Sequence, residues 1–75
     1  MEKYIAAQDG VLHVDSLRSR MFGNKVYIDL EIQVDGETSL RDAHKVAEHV
    51  HDEVEHAFPD VKHIMIHLNP ADEAG

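Results

Sequence analysis

Lys25-Val26-Tyr27-Ile28-Asp29-Leu30-Glu31-Ile32-Gln33-Val34 is the stretch on which the fold turns. Val26, Ile28, Leu30, Ile32 and Val34 alternate with Lys25, Tyr27, Asp29, Glu31 and Gln33, the period of two expected of a strand with one face buried and one face wet. Asp29 therefore points away from the core. Ile64-Met65-Ile66-His67-Leu68 follows the same rule, with Ile64, Ile66 and Leu68 inward and His63, Met65, His67 and Asn69 outward. His67 lands on the same kind of face as Asp29.

The flanking segments supply the remaining elements. Val11 to Met21 reads as a first strand, with Leu12 and Val14 on one face and His13 and Asp15 on the other. Phe22-Gly23-Asn24 reads as the tight connection to the next strand, because Gly and Asn tolerate the left-handed positions of a hairpin, so these two strands are expected to be antiparallel. Ahead of them, Met1 to about Ala7 is expected to be a short helical stretch stopped at Asp9-Gly10. After the loop from Asp35 to Thr38, Ser39 and Asp42 occupy the positions of a capping box. The helix they open runs to about Phe58, with Leu40, Ala43, Ala47, Val50, Val54 and Ala57 as its apolar stripe and Pro59 as its stop. The last strand, Val61 to Leu68, closes at Asn69-Pro70, and Ala71 to Gly75 is expected to be a frayed acidic end.

The order is α-β-β-α-β, an α+β two-layer sandwich. A long helix between the second and third strands makes them parallel neighbours joined by a right-handed crossover, with both helices on one face of a three-stranded mixed sheet. The opposite face is left to His13, Asp15, Asp29, His63 and His67.

Composition narrows the function. Fifteen acidic residues, seven Lys and Arg, seven His and no Cys share 75 positions, for a net charge of −8. A chain of this length is expected to be one small domain, 1–75 with its core at about 9–70, which buries only roughly 60% of its unfolded surface. Without cysteine there is no disulfide staple or thiolate zinc site, so a metal ion or a partner subunit is the remaining support. The acidic balance excludes nucleic acid and an anionic membrane surface as partners and points to cations. No apolar run approaches the roughly 20 residues that span a bilayer, and no signal sequence opens the chain, so it is expected to be soluble as it stands. There is no phosphate loop, no supported Ser-His-Asp order and no nucleophilic cysteine, and an enzyme is not expected.

Imidazole nitrogen and carboxylate oxygen are ligands for zinc and its neighbours when about four of them converge within some 2.0–2.2 Å of the ion. His67, Asp29, Asp15 and His13 have the right types, and neighbouring strands bring outward residues side by side. On the helix, His44, Glu48, His51, Asp52 and Glu55 share one flank, which reads either as a loose divalent-ion site or as a solvated helix face. His49 and His56 read as surface residues. Arg18 and Arg20 read as ion-pair partners for the acids of a second subunit, or as solubilising edge charges.

Gly10-Val11, Leu17-Arg18-Ser19-Arg20, Gly23-Asn24, Val26 to Ile32, Ala43-His44-Lys45-Val46-Ala47 and Ile66-His67-Leu68-Asn69-Pro70 occur together and in this order. The combination resembles the cytoplasmic C-terminal domain of cation diffusion facilitator transporters, over about Asp9 to Pro70. The resemblance implies a ferredoxin-like, metallochaperone-like fold and a V-shaped homodimer on the cytoplasmic side of the cell membrane. It also implies a membrane domain of the same transporter that exchanges divalent cations for protons, with residues 1–8 following its linker. Metal ligands near the dimer interface are implied at Asp15, Asp29, His44, His67 and Asn69. His13 and His63 are further candidates. Asp15 and Asp29 stand where zinc-transporting relatives often carry histidine, and Asn69 stands where an aspartate can follow. Such harder donors shift preference toward Mn²⁺ or Fe²⁺ relative to a histidine-rich site, against the general order that favours Zn²⁺.

The expected function is a regulatory domain of a divalent-cation efflux transporter for Zn, Mn, Fe or a similar ion. A freestanding metal-binding module and a structural dimerisation domain without metal are its rivals.

Overall fold

The computed structural model describes residues 1–71. Its elements, in chain order, are α1 (Glu2–Ala6), β1 (His13–Phe22), β2 (Lys25–Val34), α2 (Leu40–Ala57) and β3 (Val61–Pro70). The sheet order is β1-β2-β3, with β1 antiparallel and β3 parallel to the central β2. Among the described residues no helix is long and apolar enough to cross a membrane. The acidic end expected at Ala71 to Gly75 lies, beyond Ala71, outside the described residues.

Alternation in β2 is realised as the sequence dictates. Ile28, Leu30 and Ile32 are 2% exposed or less, while Tyr27, Asp29 and Glu31 are exposed. The inward set packs with Ile5 of α1, Val50 and Val54 of α2, and Val61 and Ile64 of β3 in one cluster. Both helices therefore cover the same face. Two contacts tie the helices together there: the Tyr4 hydroxyl donates to Glu53 Oε2 at 2.8 Å, and the Tyr4 ring meets Phe58 edge-on at 5.7 Å. The Ser39 side chain caps α2 by accepting the Asp42 backbone N–H at 3.1 Å, satisfying one of the helix's free amides.

Several local expectations are corrected. Leu12 lies before β1 and is 60% exposed, and the neighbouring Val11 is buried in its place. Leu12 sits ahead of the first strand residue, so strand alternation does not reach it, and within β1 a register shift between Val14 and Ser16, a bulge at Asp15, breaks the alternation further on. Val14 and Leu17 pack on the core, and the residues between them do not. Phe22 belongs to β1, where it pairs with Lys25, and only Gly23 and Asn24 form the turn. Gly23 has φ +64° and Asn24 is not left-handed, the arrangement of a hairpin whose glycine leads.

The stripe of α2 is shorter than its sequence pattern. Leu40 is 86% exposed and Ala57 is exposed, while Val46 and the C-cap residue Phe58 join the packed set. β3 runs two residues further than expected, since Asn69 and Pro70 pair with Gln33 and Val34. α1 ends at Ala6, before the glycine. Gly10 has a different reason for being glycine: with φ +88°, a Cβ there would also lie 2.6 Å from Val46 Cγ2 on α2.

Two outcomes follow from this packing. Leu30→Ala is expected to lower the unfolding free energy by about 2–5 kcal/mol, a large part of the few kcal/mol a domain of this size has, read as a lower urea midpoint. The Glu53 carboxylate accepting the Tyr4 hydroxyl raises that phenol above its ordinary value near 10. The raised value favours the folded state fully below the unfolded value and ceases to do so as pH rises through the folded one. In a Tyr27→Phe background, Glu53→Gln should return the Tyr4 phenolate absorbance transition toward about 10. An unchanged transition would show that the bond does not persist in solution.

Candidate metal centre

The face of the sheet opposite the helices is built in rows by strand pairing. Arg20, Tyr27 and His63 form one row, Arg18, Asp29 and Met65 the next, then Ser16, Glu31 and His67, then His13, Gln33 and Asn69. Neighbouring strands lie about 4.8 Å apart, so members of a row are lateral neighbours. The register sets His67 beside Glu31 and diagonal to Asp29. These residues, with Ser16, Arg18 and Met65, line a shallow cleft of about 290 Å³.

Asp15 comes onto this face through the bulge. Its Oδ1 accepts from Gln33 Nε2 at 2.7 Å and its Oδ2 accepts from Asn69 Nδ2 at 3.0 Å. Asn69 Nδ2 also donates to Glu31 Oε1 at 3.2 Å, so one amide group bridges two carboxylates. His13 Nε2 stands 3.7 Å from Asp15 Oδ1. In this arrangement the nitrogen of Asn69, not a metal-binding oxygen, faces the acids. Asn69 acts as a neutral clamp that holds two like charges together, and both oxygens of Asp15 are engaged by amide donors.

At the hairpin end the face becomes aromatic. Phe22 meets Tyr27 edge-on at 5.1 Å, and Tyr27 lies 5.8 Å from the His63 ring. His63 is thus packed with the aromatic row and separated from His67 by the Met65 row. Among the described residues every close ion pair joins a histidine to a carboxylate, and neither Arg18 nor Arg20 is in one.

Six of the seven candidate residues therefore share one sheet face: His67, Asp29, Asp15, His13, His63 and Asn69. The seventh does not. His44 projects from the exposed start of α2, where its Nε2 pairs with Glu48 Oε1 at 3.0 Å, in the layer on the other side of the sheet. Within one copy the sheet-face donors are not gathered tightly enough to enclose an ion. Among the described residues the one set of three donor atoms that all lie within 4.8 Å of one another is His51, Asp52 and Glu55 on α2. Asp29, Glu31 and His67 line one open cleft with donor types that suit a divalent cation, a half-site short of the about four donors a closed site needs.

Glu31 was missed as a candidate, although its alternation with Ile32 already put it on the face of Asp29. Its importance comes from the parallel register that sets it beside His67, and no sequence signal gives that register.

Comparison with known proteins points in one direction. Residues 1–71 match the family model described as cation efflux protein, cytoplasmic domain. A probable cation efflux system protein of Mycobacterium tuberculosis is 35% identical over 95% of the chain and 21% of its own length. The manganese efflux system protein MneP of Bacillus subtilis is 29% identical over 83% of the chain and 21% of its length. The cation-efflux pump FieF of Shewanella oneidensis is 36% identical over 91% of the chain and 23% of its length. The chain thus spans about a fifth of the length of the curated relatives it matches. Among solved structures, the MamM C-terminal domain superposes with a TM-score of 0.87 at 25% identity, covering 91% of this chain and 86% of that one. The two helices and three-stranded mixed sheet are its ferredoxin-like arrangement. On the family match, the chain belongs to the cytoplasmic domains of cation efflux proteins, the cation diffusion facilitators that its motifs resemble.

Proposed function

We propose that residues 1–75 are the cytosolic regulatory and dimerisation domain of a divalent-cation/proton antiporter that exports Zn²⁺, Mn²⁺, Fe²⁺ or a similar ion. In this reading it sits on the cytoplasmic side of the cell membrane, joined to the membrane domain of the same transporter, and acts as a homodimer. The observation that carries the reading is the open cleft that gathers Asp29, Glu31 and His67 on one sheet face, where Arg18 is the cross-strand neighbour of Asp29 but closes no ion pair with these acids among the described residues. The similarity to MneP, named for manganese efflux, and to MamM C-terminal variants solved in nickel and cadmium forms supports a divalent ligand.

The chemistry follows from charge. Two copies carrying −8 each repel, and acids facing each other across an interface repel most. A dication held between Asp29 and His67 of one copy and donors of another removes that repulsion. It thereby favours the compact arrangement of the dimer, and with it transport by the membrane domain. His44, in the other layer of its own chain, joins such a site only from a neighbouring copy. Asp15 and Asn69 shape the half-site by holding Glu31, and His13 and His63 flank it. The imidazole must be unprotonated to ligate, so binding weakens in acid.

Titration of the metal-stripped chain with Zn²⁺ and Mn²⁺ by calorimetry, paired with small-angle scattering, tests this. His67→Ala and Asp29→Ala should each weaken binding about tenfold or more, equivalent to about 1.4 kcal/mol, and abolish metal-driven compaction without loss of fold. Unaltered binding in both variants would refute the assignment, and absence of both binding and compaction in the unmodified chain would leave a structural dimerisation domain. Asn69→Asp replaces the amide clamp by a third carboxylate. It should lower metal-free stability by about 1–3 kcal/mol through lost hydrogen bonds and added repulsion, while raising divalent affinity. If affinity falls instead, the ordering of Asp15 and Glu31 by the amide matters more to binding than the added charge.

A further inference from the structure

The flank of α2 holds an arrangement that the sheet-face reading does not use. His51 Nδ1 stands 3.6 Å from Asp52 Oδ1 and 3.5 Å from Glu55 Oε1. Both separations lie beyond the usual 2.7–3.2 Å of an N–H···O hydrogen bond. The next pair along the same helix, His44 and Glu48, closes to 3.0 Å, an ordinary hydrogen-bond length. His51 therefore converges on two carboxylates without bonding to either.

That spacing has a chemical meaning. Donors that surround one ion at about 2.1 Å are about 3.0 to 3.4 Å from their neighbours and about 4.2 Å from the donor opposite. The three donor atoms of His51, Asp52 and Glu55 all lie within 4.8 Å of one another, so side-chain rotation of about an ångström, with no backbone change, brings them round an ion. Two carboxylates match the charge of a dication, and a neutral imidazole completes a mixed donor set. Among the described residues no lysine or arginine is paired with either acid.

The helix supplies rigidity and the sheet supplies a wall. All three residues fall within a five-residue window, more than two turns from the start of the 18-residue α2. His51 and Asp52 line a groove of about 380 Å³ with Ala47, Glu48, Ile64 and Ile66. The groove leaves room for the waters that fill the remaining positions of an ion held by three protein ligands.

We propose that His51, Asp52 and Glu55 form a second divalent-cation site, intrinsic to one copy of the chain and separate from the open half-site on the sheet. Its one imidazole and two carboxylates suit a first-row dication such as Mn²⁺, Fe²⁺ or Zn²⁺ and discriminate little against Mn²⁺, since two of three donors are oxygen. The site is exposed and keeps its waters, so it fills at higher free metal than a closed site. It requires neither a partner copy nor His67.

The test uses the full chain carrying Asp29→Ala and His67→Ala, two exposed substitutions that remove two of the three half-site donors and leave the core alone. Mn²⁺ is titrated while amide signals are followed by NMR, because the paramagnetic ion broadens resonances around the place where it binds. The expected result is saturable broadening centred on residues 48–56, matched by Zn²⁺-induced shifts of the same signals, and weakened at least tenfold when His51→Ala is added. Broadening spread over all acidic segments without saturation would overturn the proposal, as would identical broadening after His51→Ala. The sheet-face assignment fails independently, through titrations of the unmodified chain that show no component dependent on Asp29 or His67.

Discussion

Two-sided pairing of β2 is the constraint on which the rest of the structure depends. β2 exchanges backbone hydrogen bonds with β1 on one edge and β3 on the other, and its inward residues Ile28, Leu30 and Ile32 are the centre of the core. Because side chains on a strand alternate with a period of two, burying those three forces Tyr27, Asp29 and Glu31 onto the opposite face. A slip by one residue would bury two carboxylates and expose three aliphatic chains, at a cost far beyond the stability of a small domain. The placement of the acidic donors is thus enforced by the core.

The same logic explains what could be read from the sequence and what could not. The alternation of β2, the parity of His67, the cap at Ser39 and the strand order follow from local pattern and connection length, and the structure reproduces them. The failures share one cause. Leu12 was placed on the face of Val14 because alternation was carried back past the start of β1 at His13, and the bulge further on has no compositional signature in Val14-Asp15-Ser16. Leu40 and Ala57 were counted with the helix stripe because periodicity does not reveal which end residues of a helix meet the sheet. Gly10 reads as a helix stop, yet it also makes room for Val46, a contact between residues 36 positions apart. For the candidate site, the face was legible and the neighbours were not. Glu31 beside His67 is a fact of parallel register, and the amide clamp joins residues 15, 31, 33 and 69 from three strands.

The amide clamp orders its acids without neutralising them. Asp15 and Glu31 lie close on a face without paired arginine or lysine, and Asn69 holds them with two N–H groups from one amide. A neutral amide satisfies carboxylate lone pairs without cancelling their charge, so Asp15 and Glu31 stay negative while their side chains are ordered, with Arg18 and Arg20 in the neighbouring rows. The cleft beside it, between Asp29, Glu31 and His67, is left open. A paired lysine would also order these acids, but it would occupy the electrostatic role that a dication is proposed to take.

The two layers of the fold present donors in different ways, and this bears on how each would respond to metal. On the sheet, lateral neighbours are fixed about 4.8 Å apart by backbone pairing, which is wide for donors around one ion, so the shortfall must be met by side-chain reach or by a facing copy. On the helix, residues one turn apart stand close on one flank, and His51 reaches both Asp52 and Glu55 within 3.6 Å. A sheet-face site completed by a second copy couples ion binding to the distance between copies, because the missing donors arrive only when the copies approach. A helix-flank site completed within one copy has no such coupling. Occupancy of the first would change the shape of an assembly and occupancy of the second its charge, which allows one small acidic fold to answer metal concentration in two separable ways.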